Sequence, residues 1–83
     1  MRSLEKKVSD VLLKSWDPIG IADEPEAQDE YDDYVTVICA MLMRGTTISA
    51  LTDYLTEIER DWIGVTENHK RANEVAQILA AIK

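Results

Sequence analysis

The sequence predicts an all-α fold, a compact four-helix domain with one long acidic loop between the first and second helices. Apolar residues recur at helical spacing in four separate stretches, and Gly and Pro fall between those stretches. The apolar share is that of a globular chain at 46%, with 6% aromatic residues and no Phe. Eighty-three residues make a single domain, 1–83, with no room for a second core. At about 0.05–0.15 kcal/mol per residue its folding is worth on the order of 4–12 kcal/mol, so the helices must pack closely or lean on a partner.

The first helix is expected from about Leu4 to Ser15, with Ser3 as N-cap. Leu4, Val8, Val11, Leu12 and Trp16 lie on one face. Asp17-Pro18 stops it, because a residue before proline is pushed out of the helical region, and Gly20 allows a turn. The stretch from Asp17 to Gln28 reads as an ordered loop.

Asp29 is positioned to cap the second helix, with Asp32 three residues on imitating a capping box and Glu30, Asp32 and Asp33 in the first turn, where the helix dipole favours them. Its apolar positions are Tyr31, Tyr34, Val35, Ile38, Met41 and Leu42. The β-branched run from Val35 to Ile38 suggests a strand, but alternation is absent and the pattern outlasts a strand. The helix should end at Arg44, before Gly45 at C′. Thr46 or Thr47 caps the third helix, in which Ile48, Leu51, Leu55, Ile58 and Trp62 form an apolar seam opposite Asp53, Glu57, Glu59 and Arg60. Gly64 ends it; Thr66 caps a fourth helix with Ala72, Val75, Ala76, Leu79 and Ile82 on its inner face.

The charge is uneven. Residues 17–33 hold Asp17, Asp23, Glu24, Glu26, Asp29, Glu30, Asp32 and Asp33 with no Lys or Arg, a local charge of −8 in a chain of net −7. The balance opposes an unaided grip on nucleic-acid phosphates or anionic lipid and favours a basic protein partner. Helix-dipole effects account for the acids of the first turn but not for Asp23, Glu24 and Glu26 in the loop. A solvated face that keeps the chain soluble, a docking surface, and weak cation contact are the three readings of this segment.

The residues oppose most chemistries. An EF-hand started at Asp23 meets Pro25 and Gln28 at its third and sixth positions, and one started at Asp29 meets Tyr31 and Tyr34. One Cys and one His cannot make a four-ligand zinc site, and Cys39 sits among Val37, Ile38, Ala40, Met41 and Leu42 as a buried, inert thiol. His69 has no nucleophile at short range and reads as a surface or boundary residue. Phosphate-binding and dinucleotide motifs are absent. No enzyme, metal or cofactor is expected. Glu5, Lys6, Lys7, Asp10 and Lys14 interrupt any signal-peptide core, and no run approaches the roughly 20 apolar residues of a membrane span. No membrane association and a cytoplasmic location are therefore the expectation.

Trp16 and Trp62 stand at helix ends on the apolar stripes and read as core anchors. Tyr31 and Tyr34 are interleaved with acids and share a face, which suits either the core or an interface with Lys or Arg.

The stretches Ser15-Trp16-Asp17-Pro18-Ile19-Gly20-Ile21, Asp29-Glu30-Tyr31-Asp32-Asp33-Tyr34, Arg44-Gly45 and Tyr54-Leu55-Thr56-Glu57-Ile58-Glu59 resemble those of small bacterial all-helical proteins of unknown function. A Trp-Asp-Pro-apolar-Gly turn after the first helix is their hallmark. Some similar small acidic proteins look like immunity proteins that bind and block a cognate toxin. The resemblance implies a non-enzymatic protein-binding module, immunity- or inhibitor-like, and the charge pattern nominates Asp23, Glu24, Glu26, Asp29, Glu30, Tyr31, Asp32, Asp33 and Tyr34 as its contact with a basic partner. The alternative is a structural or regulatory homodimer in which the acidic segment serves solubility.

Overall fold

Four α-helices hold most of the residues that the computed structural model describes, which are residues 2–17, 20 and 31–82. No strand occurs among them, and the all-α expectation stands. The first helix, α1, spans Arg2–Val11 and runs directly into a π-helical turn at Leu12–Trp16. Ser3 therefore lies inside the helix rather than at its cap. The π turn closes with the amide of Asp17 donating to the Leu12 carbonyl at 2.7 Å. Asp17 itself takes a left-handed conformation, φ 31°, which Asp tolerates better than most residues because its short polar side chain bonds locally.

Helix α2 spans Asp32–Met43, and its N-cap position is Tyr31, without a side-chain cap. The Asp29 cap expected from the sequence lies outside the described residues, and Asp32 begins the helix instead of closing a capping box. The Tyr31 carbonyl accepts from the amides of Tyr34 and Val35, both at 3.0 Å, so the position of Tyr31 sets the first turn. At the other end Gly45, φ 77°, is the expected C′ residue. Its amide donates to the Leu42 carbonyl and that of Thr46 to the Met41 carbonyl, each at 3.1 Å, which is a Schellman closure.

Helix α3 spans Ile48–Glu57, and of the two expected caps, Thr46 and Thr47, it begins at Thr47, whose hydroxyl accepts from the Ala50 amide at 3.0 Å. It continues into a second π-helical turn, Ile58–Ile63. Gly64 ends it at φ 82°, and the Glu59 carbonyl collects the amides of Gly64 and Val65 at 3.0 and 2.8 Å. Helix α4 spans His69–Ala81. Its cap is Asn68 and not Thr66: the Asn68 side chain accepts from the Arg71 amide at 3.0 Å.

The core is one cluster to which all four helices contribute. Helix α1 packs on α2, and Val8, with Leu12 of the π turn, shares the buried cluster with Val35, Ile38 and Leu42. Leu51, Leu55 and Ile58 meet Ala72, Val75, Ala76 and Leu79 where α3 packs on α4. Trp16, on the first π turn, closes one side of the cluster. Two buried hydroxyls on α3 are satisfied within the helix: Thr52 donates to the Ile48 carbonyl at 2.8 Å and Thr56 to the Thr52 carbonyl at 3.1 Å. The radius of gyration is 11.6 Å, against about 12 Å for a folded domain of this length.

Three expectations for α3 are corrected. Ile48 is exposed, and Trp62, expected as a core anchor, is 70% exposed. The π turn takes in an extra residue relative to an α-helix and so displaces the α-helical register of the seam beyond Ile58. Ile63 packs against the core. Glu59, assigned from sequence to the polar face, is fully buried.

Candidate docking site

The acidic candidates divide into three groups. Asp23, Glu24, Glu26, Asp29 and Glu30 lie outside the described residues. Asp32 and Asp33 form the exposed first turn of α2, and among the described residues neither pairs with a cation. Tyr31 and Tyr34 turn inward: Tyr31 is 2% exposed and Tyr34 is half-buried against the cluster. The choice between core and interface thus resolves toward the core for Tyr31.

An aromatic group holds this turn. The ring of Trp16 lies 5.3 Å from that of Tyr31 and 6.3 Å, edge-on, from that of Tyr34, and the two tyrosine rings are 6.2 Å apart. Such tilted and edge-to-face pairs add about 0.5–1.5 kcal/mol each beyond area burial. Trp16 therefore grips both residues that bracket the Asp32-Asp33 pair. The Tyr31 hydroxyl donates to Oδ1 of Asp17 at 3.0 Å, joining the two ends of the acidic stretch at its described edges. Tyr54, on α3, is partly buried against the core: burial pushes its hydroxyl above the ordinary tyrosine range, and Tyr34, Glu57 and Asp33 add to the rise.

Behind the aromatics is a buried polar node. The Trp16 indole N–H donates to Oε2 of Glu59 at 2.7 Å, and the Asn68 amide donates to Oε1 at 2.8 Å. A guanidinium nitrogen of Arg71 stands 3.6 Å from Oε2. Both carboxylate oxygens are used, each by a donor with no other acceptor among the described residues. The two π turns supply Trp16 and Glu59, and the start of α4 supplies Asn68 and Arg71. Sequence reasoning missed this node, though Glu59 follows Leu51 and Leu55 at four-residue steps, and a buried indole N–H requires an acceptor.

On the outer side, Glu5, Lys6, Ser9, Asp32, Val35 and Thr36 line an open depression of about 350 Å³ between α1 and α2. Among the described residues, no group of three or more His, Cys, Asp or Glu is arranged to hold a metal ion. No helix among them is long and apolar enough to cross a membrane. Cys39 is buried, and desolvation pushes its thiol above the ordinary range, with Glu5 adding to the rise. His69 is exposed at the first position of α4. No family model, curated protein or solved structure gives a significant match to this chain.

Proposed function

We propose that this chain is a non-enzymatic, cytoplasmic protein-binding module of the immunity or inhibitor kind, which docks its acidic segment on a basic partner. The observation that carries the reading is the first turn of α2. Asp32 and Asp33 are exposed, uncompensated by any described cation, and mounted on a turn anchored by buried Tyr31. The helix dipole favours both acids at a first turn, and a basic partner would add the ion pair that neither makes among the described residues. A patch of this kind raises the encounter rate with a basic surface and excludes acidic competitors. The resemblance to small bacterial proteins suggests a cognate toxin as the partner. Were that toxin a nuclease, the carboxylates would stand where phosphates bind.

Affinity capture from the source lysate at low and high salt tests the reading, with Asp32→Lys/Asp33→Lys as the control. A basic protein retained at low salt, released as the screening length falls from about 8 Å at 0.15 M to 3 Å at 1 M, and lost by the double variant supports docking. Capture indifferent to salt and to the double variant removes this surface from the mechanism.

A second reading, the homodimer, is favoured by a separate observation: Val37, Met43, Ile48, Trp62 and Ile78 are large apolar side chains left exposed. Sedimentation over a dilution series separates the two, since a stable dimer untouched by Asp32→Lys/Asp33→Lys supports self-association.

A further inference from the structure

We propose that Glu59 is a positioning residue for the acidic docking turn, acting through Trp16 on the Asp32-Asp33 pair; the inference rests on the docking reading above. Glu59 lies on the second π turn and does not touch α2's carboxylates. Its route to them is short and buried. Oε2 fixes the Trp16 indole at 2.7 Å, and Trp16 packs on Tyr31 at 5.3 Å and Tyr34 at 6.3 Å. The Tyr31 carbonyl then holds the amides of Tyr34 and Val35 at 3.0 Å. Rotation of the indole would displace both residues that flank the acid pair.

The chemistry of the node asks for a carboxylate in particular. Two N–H donors, from Trp16 and Asn68, converge on two different oxygens. Glutamine has one acceptor oxygen, so it would turn its own NH₂ toward one of these donors and lose the pull of Arg71. An apolar side chain would fill the space and satisfy neither donor. Pairing a buried carboxylate with a guanidinium that is a third exposed is a weak route to stability, because desolvation of the carboxylate offsets most of the attraction. It does fix geometry, and here the geometry it fixes is that of Trp16. π turns, which are rare and concentrate at functional sites, supply both partners of the Trp16–Glu59 bond.

The test is Glu59→Gln in the full chain, read by amide spectra and hydrogen exchange, with Trp16→Phe as a second variant that keeps an aromatic ring, smaller than the indole, and removes the donor. Exchange at the Tyr34 and Val35 amides should accelerate about tenfold or more while Ile38–Leu42 keeps wild-type protection. The Asp32 and Asp33 amide resonances should shift in both variants. Wild-type exchange and shifts at residues 32–35 overturn the proposal, as does a loss of protection spread evenly over all four helices. The same samples are titrated with a lysine- and arginine-rich peptide. Weaker binding by Glu59→Gln supports the positioning role; equal binding by wild type and Glu59→Gln, lost in Asp32→Lys/Asp33→Lys, overturns it and leaves docking intact. If wild type binds no such peptide, the docking reading fails, and with it the role assigned to Glu59, even where exchange links Glu59 to the turn.

Discussion

The indole of Trp16 and the carboxylate of Glu59, 43 positions apart in the chain, meet at 2.7 Å in the interior. Each belongs to a π-helical turn that ends in a left-handed residue, Asp17 after the first and Gly64 after the second. The bond therefore ties the exits of two helices together. It leaves the acidic first turn of α2 resting on Trp16 by way of Tyr31 and Tyr34.

Removing the carboxylate should be expensive. In Glu59→Met the indole N–H, the Asn68 amide and the Arg71 guanidinium all lose their acceptor inside the protein. Arg71 is a third exposed and can turn to water, so the loss falls mainly on the two N–H donors left without an acceptor, about 1–3 kcal/mol each, a large part of the stability of a chain this short. Urea unfolding measures it. Adding Trp16→Phe and Arg71→Met should restore part of the loss, because donors without partners are then gone. A loss under about 1 kcal/mol for Glu59→Met alone would mean that water satisfies the node and the pair is not structural.

The exposed ion pair behaves oppositely. Arg60 donates to both oxygens of Asp61, at 3.0 and 3.1 Å, and this holds the Asp61 carboxyl below its ordinary range. A depressed folded value stabilises above the unfolded value and is lost as pH falls through the folded one, so the window lies below about pH 4. Both side chains are more than half exposed, and solvent screens them. Asp61→Asn should lower the urea midpoint at pH 7 only slightly, and that small difference should vanish as pH falls below about 4, where the wild-type carboxyl takes up its proton. A drop at pH 7 as large as that of Glu59→Met would contradict the screening argument.

Cys39 provides a probe of opening. Its thiol is buried between α2 and the core, and desolvation holds it above the ordinary thiol range. Since the thiolate is the reactive form, labelling by a disulfide reagent at pH 7–8 should be slow in the folded protein and rapid in urea. The labelling rate should follow the unfolding equilibrium in the Glu59→Met variant. Rapid labelling of folded wild type would show that α2 opens locally without global unfolding.

How much of this was legible in the sequence can be judged residue by residue. Thr47 and Gly45 were readable because a cap hydroxyl and a left-handed glycine act within a few residues, and local rules suffice. The stripes of Val8, Leu12, Val35, Ile38, Leu51, Leu55, Val75 and Leu79 were readable because α-helical periodicity survives wherever the helix stays α. It failed where the helix did not: a π turn shifts the register by one residue, and that exchanged Trp62 for Ile63 at the core. Thr66 and Asn68 are both able caps in sequence, and the choice fell to the residue whose amide the buried Glu59 accepts. That is a tertiary contact, invisible to a local reading. Of the candidate docking residues, sequence alone could not separate Tyr31, which turns inward, from Asp32 beside it, which faces solvent.

The two tryptophans allow that register shift to be tested. Trp16 is 1% exposed and Trp62 is 70% exposed, so a Trp62→Phe chain, in which Trp16 is the sole reporter, should emit at short wavelength and resist acrylamide. A Trp16→Phe chain should emit as a solvated indole and quench freely. Trp62→Ala should change stability by no more than about 0.5 kcal/mol, the usual range for a surface position that anchors nothing. If the helix instead ran on in α register through residue 62, Trp62 would return to the face of Ile58 and its removal would cost about 3–5 kcal/mol, as for a buried tryptophan. A third result is diagnostic: a Trp62→Ala loss that grows with protein concentration, together with Trp62 shielded from acrylamide only when concentrated, would mean that a second chain covers this indole. The exposed apolar residues would then be the interface, and the homodimer would displace acidic docking as the better reading.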